Sequence, residues 1–174
     1  LRAFSSAPVC QPSRWSTLTG RYASAGTLNG SANVFFNMRP PPRPGSLPYT
    51  LLRDGYSTAH FGKYHAHHLH GESYASMLNQ VKAVGFSTVG ALYPGNLYDG
   101  PTPVAAHLPE WVVHAAREWL ERTIGEGSPF FLSFNPTLVV SEHLRHVRLS
   151  VRVVRGTSHE DHVTALVRAD NDTG

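Results

Sequence analysis

The stretch PYTLLRDGYSTAHFGKYH, residues 48–65, changes character at its first glycine. Pro48 to Asp54 reads as a short helix, with Pro at the start and Gly55 as the stop. Tyr56 to Phe61 then has the β-branched and aromatic content of a strand, which Gly62 is expected to end. A short helix feeding straight into a strand is the unit from which layered α/β folds are assembled.

The same alternation continues outward. Apolar residues at Met77, Leu78, Val81 and Val84 recur at helical spacing as far as Gly85, and Phe86 to Leu92 reads as a second strand. Pro109 opens a longer amphipathic helix, with Val112, Ala115, Ala116, Trp119 and Leu120 on one face and Arg117, Glu118 and Glu121 on the other. Phe130 to Phe134 is an apolar run, broken only by Ser133, before Asn135-Pro136, as expected of a strand covered on both faces in a parallel sheet. The expected fold is therefore α/β, a mostly parallel sheet flanked by helices.

Toward the N-terminus, Pro12 to Thr19 reads as a helix, with Pro12 suited to the first helical position and Gly20 to the C-terminal cap. Cys10 would then sit at a helix N-terminus. From Gly26 to Pro48 the chain is rich in Gly, Asn and Pro and reads as a surface loop; the run from Arg39 to Pro44 has polyproline character, but a structural loop is preferred to an SH3-type ligand. Val147 to Val154 alternates in part as a strand does, and Ser158-His159-Glu160-Asp161 resembles a helix start before Val163, Leu166 and Val167. Neither an internal repeat nor a domain boundary is visible.

Composition narrows the function classes. With 174 residues and 41% hydrophobic content there is enough apolar material for one globular domain with a core. The apolar residues come in separated blocks, so no membrane span is expected. A formal charge of +3 favours anionic ligands without naming one. The basic stretch Arg145, Arg148, Arg152 and Arg155 lacks interleaved aromatics, so it reads as a solvated strand face and no nucleic-acid partner is expected. One cysteine excludes an internal disulfide framework and a Cys-rich zinc site.

Three segments carry chemistry: Cys10-Gln11-Pro12-Ser13-Arg14, Leu18-Thr19-Gly20-Arg21, and Gly55-Tyr56-Ser57-Thr58-Ala59 running into Gly62-Lys63-Tyr64-His65. Unpaired N–H groups and the dipole at a helix N-terminus favour an anion beside Cys10. Arg14, one turn onward, can add a cationic donor to the same place. Lys63 and His65 are two apart just beyond a strand, which directs both to one side if the backbone stays extended. A cation and a titratable imidazole would then share a pocket at a strand end, where α/β sheets bind ligands. Taken alone, Lys63 and His65 would read as ordinary surface residues.

In combination these segments resemble the formylglycine-dependent sulfatase family. C-x-P-S-R followed by L-T-G-R is that family's maturation and active-site signature, and G-Y-x-T-A-x-x-G-K-x-H is matched at each specified position from Gly55 to His65. The resemblance is clearest from Ala7 to His65 and continues more loosely through the Pro109 helix to Leu132. It implies an alkaline-phosphatase-like fold and hydrolysis of sulfate esters, with Cys10 oxidised to formylglycine by a formylglycine-generating enzyme. One hydroxyl of the aldehyde hydrate would attack sulfur, and the second would expel sulfate by re-forming the aldehyde. Arg14 would hold the formylglycine, Lys63 would contact it and the sulfate, and His65 would hydrogen-bond its hydroxyl and assist the elimination.

The family also implies calcium, or less often magnesium, with the modified Cys10 among the metal ligands. Its carboxylates come from an Asp-Asp pair on a strand before the Cys motif and an Asp-Asn or Asp-His pair well after it, and neither is recognisable here. Asp170-Asn171 follows an expected helix, whereas the family's later pair ends an apolar strand. That helix resembles the one preceding the later metal strand. Residues 1–174 are thus expected to be an incomplete catalytic domain, inactive alone, with 138–155 a divergent segment. The family's later His has no counterpart in Asn135-Pro136-Thr137-Leu138, and His143, the nearest, is not assigned. His60, His65, His67, His68 and His70 are expected to form a solvent-facing loop in which His65 alone is special. Phosphonate or phosphate ester hydrolysis on the same fold is the nearest rival activity, and a non-catalytic remnant that only binds anions is the rival from another class. Members are often exported, periplasmic, secreted or lysosomal, which fixes no compartment for this chain.

Overall fold

Ser57–Lys63 (β1) carries no charged side chain before Lys63, so it can be buried on both faces, and Thr58 through Lys63 are all buried. The computed structural model describes residues 7–28, 38–69, 73–95, 109–136, 147–153 and 163–169. In chain order the elements are α1 (Cys10–Thr19), a 3-10 turn (Ala23–Gly26), α2 (Leu47–Arg53), β1, α3 (Tyr74–Ala83), β2 (Thr88–Tyr93), α4 (Pro109–Gly125), β3 (Phe130–Asn135), β4 (Val147–Val153) and β5 (Val163–Ala169). β1 lies between β2 and β3 and pairs in parallel with both. This is the α/β arrangement expected from the alternation of periods, a parallel sheet flanked by helices.

Each face of the sheet has its own apolar layer. On one, Leu18 of α1 and Met77 and Val81 of α3 meet Tyr64, Phe86, Val89 and Leu92. On the other, the α4 stripe of Val112, Ala116 and Trp119 packs on Ala59, Phe61, Ala91 and Tyr93. Burying a side chain of this size contributes roughly 1.5–3 kcal/mol, so these layers fix the strand ends against the helices. α1 is tied down separately. Trp15 is buried with Ala23 and Met38, and its indole N–H donates to the Arg39 carbonyl at 2.9 Å. Gly20, with φ 65°, ends the helix in the left-handed conformation, its N–H on Ser16 O.

Several expectations are corrected. α1 begins at Cys10, so Pro12 is the third helical residue; its missing N–H still costs nothing, because the first four N–H groups have no intrahelical acceptor. Gly62 lies inside β1 and does not end it. There φ is 90°, a Cβ would collide with the Asn135 carbonyl, and the β1/β2 register shifts between Phe61 and Gly62. The extra residue is Ala91 on β2, also at positive φ (43°), and the resulting twist re-aims the end of β1. β3 is only half-buried, with Phe130 40% exposed, because among the described residues it pairs with β1 alone.

Val163–Ala169, expected to be a helix, is a strand antiparallel to β4, with Val147 opposite Ala169 and Val153 opposite Val163. Val163, Thr164 and Val167 are β-branched, and cross-strand pairing outweighs the helical spacing of Val163, Leu166 and Val167. It is therefore not the helix that would precede a metal strand. Residues 154–162 and 170–174, including the Ser158 helix start, Arg155 and Asp170-Asn171, lie outside the described residues, as do Asp99, His70, His143 and Arg145.

Candidate active site

α1 begins with its N-terminal groups uncovered by a side chain. Val9, the N-cap, is extended and makes no side-chain cap bond, and the first turn carries no acid. The N–H groups around Cys10 are thus left to whatever lies in front of the helix. Along the same face, at helical spacing, follow Ser13, Arg14 and Thr17, and with Cys10 they form one wall of a cleft of about 350 Å³. His60 and Tyr64, from the carboxyl-terminal half of β1 and the residue after it, and Ser133 and Asn135, from the same half of β3, contribute to the rest of its lining. The cleft therefore sits at the carboxyl ends of parallel strands, where such sheets bind ligands.

Of the four residues singled out in the sequence, Cys10 and Arg14 line the cleft, and Lys63 and His65 are not among its lining residues but meet those two directly. Cys10 Sγ lies 3.1 Å from His65 Nδ1, and the Lys63 ammonium hydrogen-bonds the same sulfur. Arg14 Nη1 donates to the Lys63 carbonyl at 2.9 Å, which fixes the guanidinium beside the end of β1. Lys63 and His65 do not reach Cys10 by extended alternation, however. His65 has φ 42°, so the backbone turns immediately after the strand and swings the imidazole back to the sulfur.

Burial and like charge set the electrostatics. His65 is pushed down to about 4, first by burial and then by Lys63, Arg14 and His68. Lys63 is lowered by burial, partly restored by Cys10, and lowered again by Arg14. Arg14 is lowered by burial, with Cys10 opposing. Among the described residues, no carboxylate lines the cleft. Two cations and a neutral imidazole around one sulfur, at the N-terminus of a helix, constitute a site short of negative charge.

The His-rich run is not a solvent-facing loop. His60 is 2% and His67 3% exposed; His60 Nδ1 lies 3.0 Å from Ser133 Oγ, and His67 Nδ1 is 3.2 Å from the Tyr64 hydroxyl. His68 is exposed. His60 is pushed down to about 3 by burial and by Arg14, with the Gly62 backbone partly opposing. His60, Ser133 and Asn135 were missed from the sequence. Ser13 and Thr17 could have been found from the i, i+3, i+7 face that starts at Cys10.

Acid is expected to destabilise the fold through these rings. His60 and His65 are held neutral at pKa values below their ordinary 6.5, so between that value and the folded ones the unfolded chain binds more protons. Their contribution is fully present above about pH 6.5 and is lost as pH falls toward 4 and then 3. Urea midpoints should drop from pH 7 to pH 5, and His65→Asn should flatten the slope. A midpoint constant over that range would contradict the burial of both rings.

Three carboxylates among the described residues are paired with cations or an imidazole, and none of the three lines the cleft. Asp54 lies 3.8 Å from Arg53, Glu118 3.3 Å from His114 and Glu121 2.6 Å from Arg117. Among the described residues, no three His, Cys, Asp or Glu side chains are grouped to hold a metal ion. None of the described helices is long and apolar enough to cross a membrane.

The Sulfatase family model matches residues 2–136, a span that contains all four converging side chains and each residue that lines the cleft. No curated protein matches the chain.

Proposed function

We propose, from the premise that this chain belongs to the sulfatase family, that Cys10 is the residue converted to formylglycine and that the cleft binds the sulfo group of a sulfate ester. The family is one of hydrolases with an alkaline-phosphatase-like α/β fold. The observation that carries the assignment is the meeting of Lys63 and His65 on the Cys10 sulfur, with Arg14 locked to the Lys63 carbonyl. As its hydrate, formylglycine would supply an oxygen nucleophile for sulfur and a second hydroxyl whose deprotonation releases sulfate, which neither Cys nor Ser can do.

The residues around it have distinct tasks in this reading. Lys63 places a buried positive charge where a sulfo oxygen would lie next to residue 10. Arg14 keeps that end of β1 and the first turn of α1 in register, and its guanidinium adds to the positive field. His65, neutral at physiological pH, can take a proton at Nδ1 from a hydroxyl at the position of Sγ. The helix N–H groups stabilise developing negative charge without any side chain moving.

The family's divalent cation does not fit the described residues. Calcium takes about six to eight oxygen ligands, and among the described residues no carboxylate lines the cleft. Residues 1–174 are therefore taken as an incomplete catalytic domain. The same cleft would accept a phosphate or phosphonate ester, a tetrahedral oxyanion of similar size, so aryl sulfate and aryl phosphate are to be compared directly.

Coexpression with a formylglycine-generating enzyme tests the assignment at its root. The tryptic peptide 3–14 should lose its thiol and form a hydrazide adduct visible by mass spectrometry. Arg14→Ala should reduce conversion, since the maturation segment includes that Arg. An unmodified Cys10, under conditions that convert a control peptide, would remove the proposed nucleophile.

A further inference from the structure

Ser133 ties three side chains of the cleft into one directional chain. Asn135 Nδ2 donates to Ser133 Oγ at 3.0 Å, and the same oxygen is 3.0 Å from His60 Nδ1. The oxygen accepts from the amide and keeps a proton to give, and in the arrangement inferred here it gives that proton to Nδ1. A neutral imidazole that accepts at Nδ1 carries its proton on Nε2. His60 Nε2 is buried without a hydrogen-bond partner, although His60 is part of the cleft wall that faces Cys10 and Arg14. An N–H left in that state costs about 1–3 kcal/mol, a cost removed when an acceptor enters.

The ring cannot relieve this by turning. Tyr64 stands edge-on to it with centroids 5.4 Å apart, Phe86 lies at 5.4 Å on a tilted plane, and Ser133 holds the Nδ1 edge. We infer that His60, fixed by Ser133 and Asn135 as the Nε2–H form, is a further binding residue of the cleft, donating a neutral hydrogen bond to an oxygen of the bound sulfo group. It adds direction without adding charge to a site that already holds Arg14 and Lys63. The inference rests on the reading of the cleft as a sulfo-group site.

The test is nitrogen NMR of the imidazoles in the chain as it stands, titrated with inorganic sulfate and paired with calorimetry. His60, assigned from the spectrum of His60→Gln, should have Nε2 protonated and Nδ1 bare, and sulfate should shift the Nε2–H signal. Gln places an amide near the Nε2 position and should keep sulfate affinity within about threefold, whereas Asn reaches only the Nδ1 position and should lose about tenfold, the worth of one hydrogen bond. Through-bond correlation of the ring nitrogens with the His60 backbone gives the same assignment in the unsubstituted chain, whose spectrum therefore decides even if a variant fails to fold. Sulfate binding by calorimetry with His60 nitrogens unmoved, or an Nδ1-protonated ring, would overturn the role of His60 and leave the Cys10 site intact. No sulfate binding at all would overturn both.

Discussion

Lys63→Ala is expected to weaken binding of inorganic sulfate by about ten- to a hundredfold, the range for losing one charge-assisted hydrogen bond of roughly 1.5–3 kcal/mol. The same substitution should leave the urea midpoint unchanged or raise it. Lys63 is 1% exposed and its ammonium is lowered by burial, which the attraction of the Cys10 sulfur, larger than the repulsion from Arg14, does not cancel. Removing it therefore relieves a desolvated charge, and the loss of its packed methylenes works against that relief. Affinity should also have a pH dependence of defined sign. It is present while Lys63 is protonated and falls as pH rises through a value below that of an ordinary lysine. Calorimetry at two pH values, with denaturation of both proteins, separates the outcomes. Equal sulfate affinity for Lys63→Ala and wild type would mean that the buried ammonium serves the fold and not the ligand.

That contrast also marks what could be read from the sequence. The helices were legible because their apolar stripes are local: Met77 and Val81, or Val112, Ala116 and Trp119, recur at a spacing that only a helix lines up. Cys10 at a helix start was legible for the same reason, since Pro12 and Gly20 punctuate the segment themselves. What lay hidden depends on neighbours far along the chain. Gly62 looks like a strand stop until Asn135 of β3 is seen to press against it, which makes it the place where β1 must have no side chain. Phe130–Asn135 has the composition of a doubly covered strand, yet half-exposure follows from having one strand partner, and composition does not count partners. The histidines were misplaced because spacing alone cannot distinguish His60, inside β1 with Ser133 beside it, from His68 on the surface. Val163–Ala169 was misread because helical spacing and β-branched content point in opposite directions there, and the pairing with β4 decides.

Aryl sulfate turnover by the 174-residue chain, even with Cys10 fully converted, is expected to stay at least about a thousandfold below that of a version extended at both ends, and added calcium should not change this. The reason is the donor set. A hard divalent cation needs a cage of oxygens, several of them anionic, and among the described residues the cleft is lined by Cys10, Arg14, Leu18, His60 and hydroxyl or amide side chains, with no carboxylate. Arg14 and Lys63 can balance sulfate charge, which is why binding is expected where turnover is not. They cannot replace an ion that polarises the sulfo group and the nucleophile together, a contribution of several kcal/mol to the transition state. Calorimetry with calcium should accordingly give no one-to-one isotherm for the converted chain, whereas sulfate should bind. Cys10→Ala should match the converted chain in turnover and differ from it only in hydrazide labelling. A micromolar calcium isotherm accompanied by turnover close to that of the extended protein would defeat this account. The oxygen ligands would then have to come from acids outside the cleft as described, and Asp54, Asp99 and Asp170 would be the first to replace.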